Sequence, residues 1–358
     1  MGIYSILRSI GHKYFPGLIV PFRETRIYLK YFGNIPNQVY DILQIRNKLF
    51  NFKSDDAISL EKYYSKKDNN QAANGIIFMC DGKLFHGGPS DRLRGILTTY
   101  REAKKRNIPF FIHWDYPFKL ENYLIPSGLI DWRIHPDLIS YSKDQAYPVV
   151  IMHTKEPQAF LNNKFRLKAA LKNRLPQVHV YSNAPNAKWN YKKLYEELFR
   201  PSEELQKEID KHLCLLGKHF YSYTFRFLEL LGDFIDHCDI ILQDKEALNL
   251  MTQVKTEFIK QLNKVPNNYK ILVTSDSIKF LNFIKDIDHR IYIVPGNIQN
   301  IDLIKKENTS AWLKTFVDQQ LIMHADKVFL LRTGRMYKSG FPEFAARVGG
   351  KPFYDIRF

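Results

Sequence analysis

"NGIIFMCDGKLFHGGPSDRLRGILTTYREAKKRN", residues 74–107, joins a short apolar run to a long amphipathic run through a corner that contains two glycines. The apolar run 75–80 predicts a buried strand, and the run 91–106 predicts a helix. Gly87 and Gly88 would let the backbone approach a ligand closely, and the N-terminus of a helix favours a phosphate. A proline and an aspartate in the same corner are equally typical of an ordinary helix start. Taken alone, the corner is as compatible with plain turn chemistry as with a ligand site.

The same alternation of short apolar runs and longer helical runs continues along the chain. Strands are predicted at 75–80, 108–114, 147–153 and 177–182, and again at 218–227, 269–277, 289–295 and 326–332. Helical patterns lie between them, at 91–106, 163–174, 244–263, 277–285 and 311–324. Strands that alternate with helices form largely parallel sheets that are covered on both faces. The sequence therefore predicts an α/β protein built from two Rossmann-like halves.

The boundaries of these halves follow from shifts in composition. A polar stretch that ends near residue 72 separates a basic, helical N-terminal extension, residues 1–71, from the first half, residues 72–200. The second half is predicted to cover residues 201–358. The polar segment 190–213, which Pro201 interrupts, is expected to form the helical linker between the halves.

The composition limits the class of protein and its partners. Of 358 residues, 45% are hydrophobic and 14% aromatic, which is typical of a folded globular chain. The net charge of +16 favours anionic partners such as phosphates, nucleotide-sugars, nucleic acid or an acidic membrane face. Cys80, Cys214 and Cys238 are far apart in sequence, so neither a disulfide framework nor a structural zinc site is indicated. With no run of 18 apolar residues and no recognisable secretory signal, we expect a cytoplasmic protein without a transmembrane helix.

The segment 1–53 is the most basic part of the extension. It contains eight basic residues and two acidic ones, interleaved with isoleucine, leucine, tyrosine and phenylalanine. This pattern is compatible with a segment that lies on an anionic membrane, at the inner face of the cell membrane for a cytoplasmic protein. A helical extension that packs on the body with its charges in solvent is the simpler explanation, because runs of charge usually form solvated faces.

Several familiar catalytic signatures are missing. The chain contains no HExxH, no GxSxG and no cluster of cysteine and histidine. Zinc peptidases and α/β-hydrolases therefore lose their main support. No metal site is predicted.

The carboxyl ends of the predicted strands carry the residues best suited to chemistry, because ligands of open α/β sheets bind there. Arg226 ends the first strand of the second half, where a guanidinium suits a pyrophosphate. Glu229 and Asp233 follow it and could act as a general base. A surface ion pair at a helix start explains the same three residues without any function.

Two further corners of the second half favour a nucleotide. In "VTSDS", Asp276 could accept hydrogen bonds from a purine base or ribose, or it could belong to a helix cap. In "KSGFPEFAA", Ser339 and Gly340 precede a helix whose N-terminus would attract an anion. Several phosphate-compatible corners in one chain favour a diphosphate ligand.

Taken in order, "GGPSDRLRGI", "TFRFLELLGDF", "VTSDS" and "KSGFPEFAA" resemble the motifs of the GT-B-fold fucosyltransferase superfamily. This superfamily includes α-1,6-, α-1,2- and protein O-fucosyltransferases, and the chain looks most similar to its bacterial branch. The resemblance covers about residues 75 to 350 and implies two Rossmann-like domains that face each other across a cleft. It implies an inverting transferase, active without a metal, that moves fucose from GDP-fucose to a glycan hydroxyl in bacterial polysaccharide or glycan synthesis.

The resemblance also implies roles for individual residues. Arg226 would bind the β-phosphate of GDP, Asp276 would contact the guanine, and Asp233 or else Glu229 would be the base. The remaining predicted donor-site residues are Thr224, Ser339, Gly340 and Phe341 from the second half, and Gly87, Gly88 and Arg92 from the acceptor half. Thr224 stands where the family has a histidine, and Phe227 where a second arginine often follows.

Three other functions remain open from the sequence. A transferase of the same fold could use another nucleotide-sugar. A basic nucleic-acid-binding protein would agree with the charge and with 21 tyrosines and 26 phenylalanines, although no RNP-type or helix-turn-helix motif is present, so we expect no nucleic-acid partner. An inactive, glycan-binding relative of the transferases is the third possibility.

Overall fold

The computed structural model describes residues 60, 62–64, 72–151, 167, 170–171, 175–183, 190–236, 240–298 and 309–358. The basic segment 1–53 and most of the predicted helix 163–174 lie outside the described residues. Within them, two parallel sheets alternate with helices, so the predicted α/β class is confirmed. No helix among the described residues is long and apolar enough to cross a membrane.

The first sheet has four parallel strands, which are β1 (Gly75–Cys80), β2 (Phe110–Trp114), β4 (Ala146–Ile151) and β5 (Gln177–Ser182). Their order in the sheet is β2-β1-β5-β4. The whole of β1 is buried, which explains its continuous apolar run, because a central parallel strand is covered on both faces. Helix α1 (Pro89–Lys105) connects β1 to β2 and packs on β1 and β5.

The second sheet has five parallel strands, which are β7 (Phe220–Phe225), β8 (Lys270–Ser275), β9 (Ile291–Tyr292), β10 (Lys327–Arg332) and β11 (Phe353–Arg357). Their order in the sheet is β11-β10-β7-β8-β9. The helices of this part are α4 (Asp244–Leu262), α5 (Ile278–Ile284), α6 (Thr309–His324) and α7 (Gly340–Gly349). Strand β7 is central and buried throughout, so its carboxyl end lies in the middle of the sheet edge.

The predicted linker 190–213 contains more than helix. Helices α2 (Tyr191–Leu198) and α3 (Glu203–Leu216) flank a short strand, β6 (Phe199–Pro201). This strand pairs antiparallel with β3 (Leu124–Pro126). Neither short strand was predicted, because three residues carry no usable periodicity.

Aromatic packing joins the two parts of the chain. The ring of Phe118 lies 4.9 Å from that of Trp312, and Tyr123 stacks on Phe316 at 4.7 Å, between ring centroids. Helix α6 also packs on α3, and α7 packs on α1 and α2. Helices of the second part thus share one hydrophobic cluster with the first, and the predicted division at residue 200 stays a prediction.

A buried polar network lies on the first sheet. The Asp81 carboxylate accepts hydrogen bonds from the hydroxyls of Tyr141 (2.8 Å) and Tyr181 (3.1 Å). The hydroxyl of Tyr64 lies 3.2 Å from that of Tyr181 and 2.7 Å from Nδ1 of His179. Because His179 is buried, its environment favours the neutral imidazole.

This network makes stability fall in acid. Burial lowers the pKa of His179 from its ordinary 6.5 to about 3, so the unfolded chain takes up the proton first as the pH falls. We expect the free energy of unfolding to decrease between pH 6.5 and pH 3. His179→Gln should flatten that slope by up to about 1.4 kcal/mol per pH unit, as measured by urea denaturation from pH 7.5 to 5. His289→Gln, at an exposed ring, is the control, and an equal effect of both variants would contradict the prediction.

Candidate functional site

The site lies where β7 and β8 end and α7 begins. Arg226 follows directly after β7, and its carbonyl accepts a hydrogen bond of 3.0 Å from the backbone N–H of Tyr337, in the loop before α7. Ser339 caps α7, since its Oγ accepts a hydrogen bond of 3.2 Å from the N–H of Phe341. The predicted phosphate residues of the second half are therefore brought to one edge of the sheet.

Arg226 is held on three sides. Its Nη2 donates to Oδ2 of Asp236 (3.0 Å), and its Nε lies 3.3 Å from Oδ2 of Asp276. The guanidinium lies over the ring of Phe234, 4.5 Å from the centroid. Its side chain remains 24% exposed, so an anion can reach it from solvent. The arginine is fixed in orientation before any ligand arrives.

Asp276 builds the loop that carries Arg226. It is buried, and its Oδ1 and Oδ2 accept hydrogen bonds from the backbone N–H groups of Phe227 (2.8 Å) and Leu228 (2.7 Å). Burial raises the pKa of Asp276, while the charge of Arg226 acts in the opposite direction. The predicted guanine contact stays a prediction. The bonds that both oxygens already make favour a positioning role for this carboxylate.

The two predicted base residues also take part in the loop. Oε1 of Glu229 accepts a hydrogen bond of 2.6 Å from the N–H of Asp236. Oδ2 of Asp233 accepts hydrogen bonds from the hydroxyl of Ser277 (3.0 Å) and the N–H of Lys279 (2.7 Å). Their role as base stays a prediction. Among the described residues, the carboxylates that contact Arg226 are Asp236 and Asp276.

Asp236 is the site residue that sequence reasoning missed. It lies ten residues beyond Arg226, in a loop without regular secondary structure, where no spacing rule brings two side chains together. Leu228 adopts a positive φ of 56°, which turns the chain back towards Arg226. A leucine gives no sequence signal for such a turn.

Thr224, one of the predicted donor-site residues, faces its neighbouring strand. Its Oγ1 lies 2.8 Å from Oγ1 of Thr274, the residue opposite it in the β7–β8 pair. Both threonines are buried. Its predicted contact with the donor stays a prediction, and the observed pairing favours a structural role.

Arg92 points into the first half. It is buried, and its guanidinium donates to the carbonyls of Gly87 (3.1 Å) and Tyr116 (2.7 Å). The guanidinium also lies over the ring of Trp114, 5.0 Å from the centroid. Gly87 has a φ of 81°, which favours glycine, and Gly88 is the N-cap of α1. The corner is braced from within by Arg92, and these contacts do not favour the predicted phosphate contact.

We therefore expect Arg92→Met to lower stability and to leave nucleotide affinity nearly unchanged. Each buried carbonyl that loses its donor costs about 1–3 kcal/mol. Urea denaturation and nucleotide titration of the same sample separate the two effects. A folded variant with wild-type stability and lost nucleotide affinity would show that Arg92 contacts the ligand after all.

No protein-family model matches the chain, and no curated protein matches it at the level of sequence. Solved structures match it well in shape. FUT1 of Arabidopsis thaliana, a mutant in complex with GDP, superimposes with a TM-score of 0.50 at 10% identity, covering 87% of this chain and 78% of its own. The α-1,6-fucosyltransferase NodZ from Bradyrhizobium gives 0.50 at 12% identity, covering 76% of this chain and 92% of its own.

The protein has the GT-B fold. The likeness to these fucosyltransferases confirms the predicted fold class and the predicted resemblance. In a GT-B protein, the edge that carries Arg226 and the start of α7 is a natural place for a ligand, because it lies at the carboxyl ends of parallel strands. Among the described residues, no group of three or more histidine, cysteine, aspartate or glutamate side chains is arranged to hold a metal ion.

Proposed function

We propose that this GT-B protein is an inverting glycosyltransferase that moves fucose from GDP-fucose to a glycan hydroxyl without a metal. The observation that carries the proposal is the preset guanidinium of Arg226, a residue whose backbone carbonyl is hydrogen-bonded to the loop that leads into the capped helix α7. This pairing offers a diphosphate one fixed cation and the positive end of a helix dipole. The GDP bound in the FUT1 structure, which has a similar fold, supports a guanine nucleotide as the ligand.

The chemistry is a displacement at the anomeric carbon. The acceptor oxygen forms a new bond to this carbon on one face, and the bond to the diphosphate oxygen breaks on the other. The electron pair leaves with the β-phosphate, whose growing charge Arg226 and the backbone N–H of Gly340 would stabilise. Because those donors are already oriented, they need little reorganisation as the charge develops.

The acceptor proton passes to a carboxylate of the loop that follows β7. Asp233 and Glu229 are the candidates from sequence, and the contact between Asp236 and Arg226 adds a third. Single Asp→Asn or Glu→Gln variants of the three separate them. The base is the residue whose amide variant loses transfer while it retains GDP affinity, and three fully active variants would exclude all of them.

The donor could instead be another nucleotide-sugar on the same fold. The buried pair of Thr224 and Thr274 supports this second candidate, since it stands where the family has a histidine. Binding measurements decide between GDP-fucose and another donor, because the nucleobase and the sugar of the donor can be varied independently.

The test is a thermal-shift panel of GDP-fucose, GDP-mannose, UDP-sugars, dTDP-sugars and the free nucleotides. A ligand that binds only the folded state raises the melting temperature. We expect the free nucleotide GDP, and GDP-fucose among the sugars, to give the largest shifts. A larger shift with UDP or dTDP would show that the donor carries that nucleotide instead of GDP. The absence of a shift with any nucleotide would contradict the glycosyltransferase proposal. A salt-sensitive interaction with nucleic acid in that case would favour the binding-protein alternative.

The cellular setting is part of the same proposal. The absence of a hydrophobic segment and the charge of residues 1–53 support a cytoplasmic enzyme that associates with the inner face of the membrane, in polysaccharide or glycan synthesis. Co-sedimentation of the full chain with vesicles of anionic and of neutral lipids tests the association. Equal binding to both, or to neither, would contradict it.

A further inference from the structure

A second arginine of the stretch GGPSDRLRGI, Arg94, lies at the start of α7. Arg94 belongs to α1, yet a Cβ built on Gly340, the first residue of α7, would lie only 2.6 Å from its Nη1. A side chain at this position would push the guanidinium aside. The arginine of the first half therefore lies directly against the backbone of the second.

The helix α1 is fixed in this position. The side-chain amide of Gln319, on α6, donates a hydrogen bond of 2.8 Å to Oγ of Ser90, in the first turn of α1. Both side chains are buried. The placement of Arg94 at α7 is thus set by packing between the two halves, and not by the flexibility of a surface side chain.

The electrostatic environment of Arg94 is unfavourable without a ligand. The N-terminus of α7 carries the positive end of the helix dipole, so a cation there is repelled. Arg94 forms an ion pair with Asp91, but its Nε is buried and has no hydrogen-bond partner. Burial lowers the pKa of Arg94, and the charge of Arg347 acts in the same direction, whereas the charge of Glu343 acts in the opposite direction.

Glu343 does not compensate Arg94 fully. This carboxylate forms an ion pair of 2.7 Å with Arg347, one helical turn further along α7. Asp91, the direct partner of Arg94, has a side chain that is 36% exposed, so its attraction is screened by water. The chain thus keeps a desolvated guanidinium beside a positive helix end, an arrangement that a bound anion would relieve.

Arg94 and Arg226 both contact the segment that begins α7. The backbone N–H of Tyr337 donates to the carbonyl of Arg226, and the guanidinium of Arg94 lies at Gly340, three residues further along the chain. We propose that Arg94 is a donor-binding residue, supplied by the first half of the chain. Its guanidinium contacts the diphosphate of the nucleotide-sugar, and Arg226 contacts the same diphosphate from the second half. The inference rests on the proposed function. It makes the affinity for the donor depend on how the two halves are positioned relative to each other, because each half supplies one arginine.

Ligand binding and structural bracing make opposite predictions for Arg94→Met. A bracing residue would lose stability when replaced. A ligand-binding residue placed beside a helix N-terminus should, when replaced by methionine, leave the melting temperature of the free protein unchanged or raise it, since the repulsion and the unpaired Nε disappear. We expect the latter result.

The binding experiment uses calorimetric titration of the full chain with GDP, inorganic pyrophosphate and guanosine. Arg94→Met should weaken binding of GDP and pyrophosphate by about 10- to 100-fold, as expected for the loss of charged hydrogen bonds, and should not change the response to guanosine. Arg94→Lys should restore part of the loss, because it keeps the charge but not the planar fork. Arg101→Met, at a more exposed arginine of the same helix, is the control and should behave as wild type.

The outcomes separate this inference from the proposed function. If wild type binds GDP and Arg94→Met binds it equally well, the inference is wrong and the proposed function stands. A loss that is the same for guanosine as for GDP, together with a lower melting temperature, would assign Arg94 a bracing role and overturn the inference. If wild type binds neither GDP nor pyrophosphate, both proposals are wrong.

Discussion

Arg226→Ala should abolish glycosyl transfer, with kcat/KM reduced by about 10³-fold or more, because one preorganised donor to a developing oxyanion already contributes about 10²- to 10³-fold. The residue would contact the diphosphate both in the bound donor and as leaving group, so binding and chemistry are both affected. The measurement is the steady-state release of GDP in the presence of acceptor. Near-normal turnover would contradict the assignment of the site.

The stability of this variant has to be followed at the same time. Asp276 is buried, and its pKa, already raised by burial, should rise further when the opposing charge of Arg226 is removed. A raised folded-state pKa means that the folded chain holds more protons, so the variant should lose stability as the pH rises above the ordinary value of 3.8. Activity is therefore compared at a pH and temperature at which circular dichroism shows a folded variant.

Arg332→Ala is the matched control. This arginine lies at the end of β10 in the same sheet and forms an ion pair of 2.7 Å with Asp355 on the edge strand β11. Like Arg226, it lies at the carboxyl end of a strand and contacts a carboxylate. Its partner, however, belongs to the edge strand and not to the loop that follows β7. Normal transfer by Arg332→Ala alongside inactive Arg226→Ala would localise the effect to the site.

The strands buried on both faces were the most predictable part of the fold. Strands β1 and β5 begin and end where the apolar runs do, since the chain on either side is polar. The edge strand β11 was not predicted, because its sequence, "FYDIR", is only half-buried. Its Asp355 is matched to Arg332 across the sheet, a pairing that becomes visible only once the strand order is known.

The site was predictable in position but not in detail. Arg226 was found because it ends an apolar run, and that depends on local sequence alone. Arg92 and Arg94 are two positions apart on one helix, about 200° around its axis, so one faces inward when the other faces the second half. Which of the two reaches the ligand depends on the side of α1 that packs on the sheet, and sequence periodicity did not decide this.

Gly95→Ala should be the most destabilising single substitution that we predict here. Gly95 lies inside α1, where alanine would normally be preferred by about 1 kcal/mol. A Cβ at this position would lie 2.0 Å from the carbonyl oxygen of Ser182 and 2.9 Å from Cε2 of Phe78. Because the helix would have to move away from β5 and β1, we expect a loss of about 3 kcal/mol or more, measured by urea denaturation.

Gly88→Ala, at the N-cap of the same helix, is the control. Gly88 has an ordinary φ of −67°, and its Cβ would meet only Oδ2 of Asp91, at 3.9 Å, so stability should fall by about 1 kcal/mol or less, the cost of alanine at an N-cap. A displaced α1 would also carry Arg94 away from α7. We therefore expect any Gly95→Ala protein that still folds to lose affinity for GDP as well, although Gly95 touches no ligand. Wild-type stability for Gly95→Ala would contradict the close approach of α1 to β5, and with it the position of Arg94.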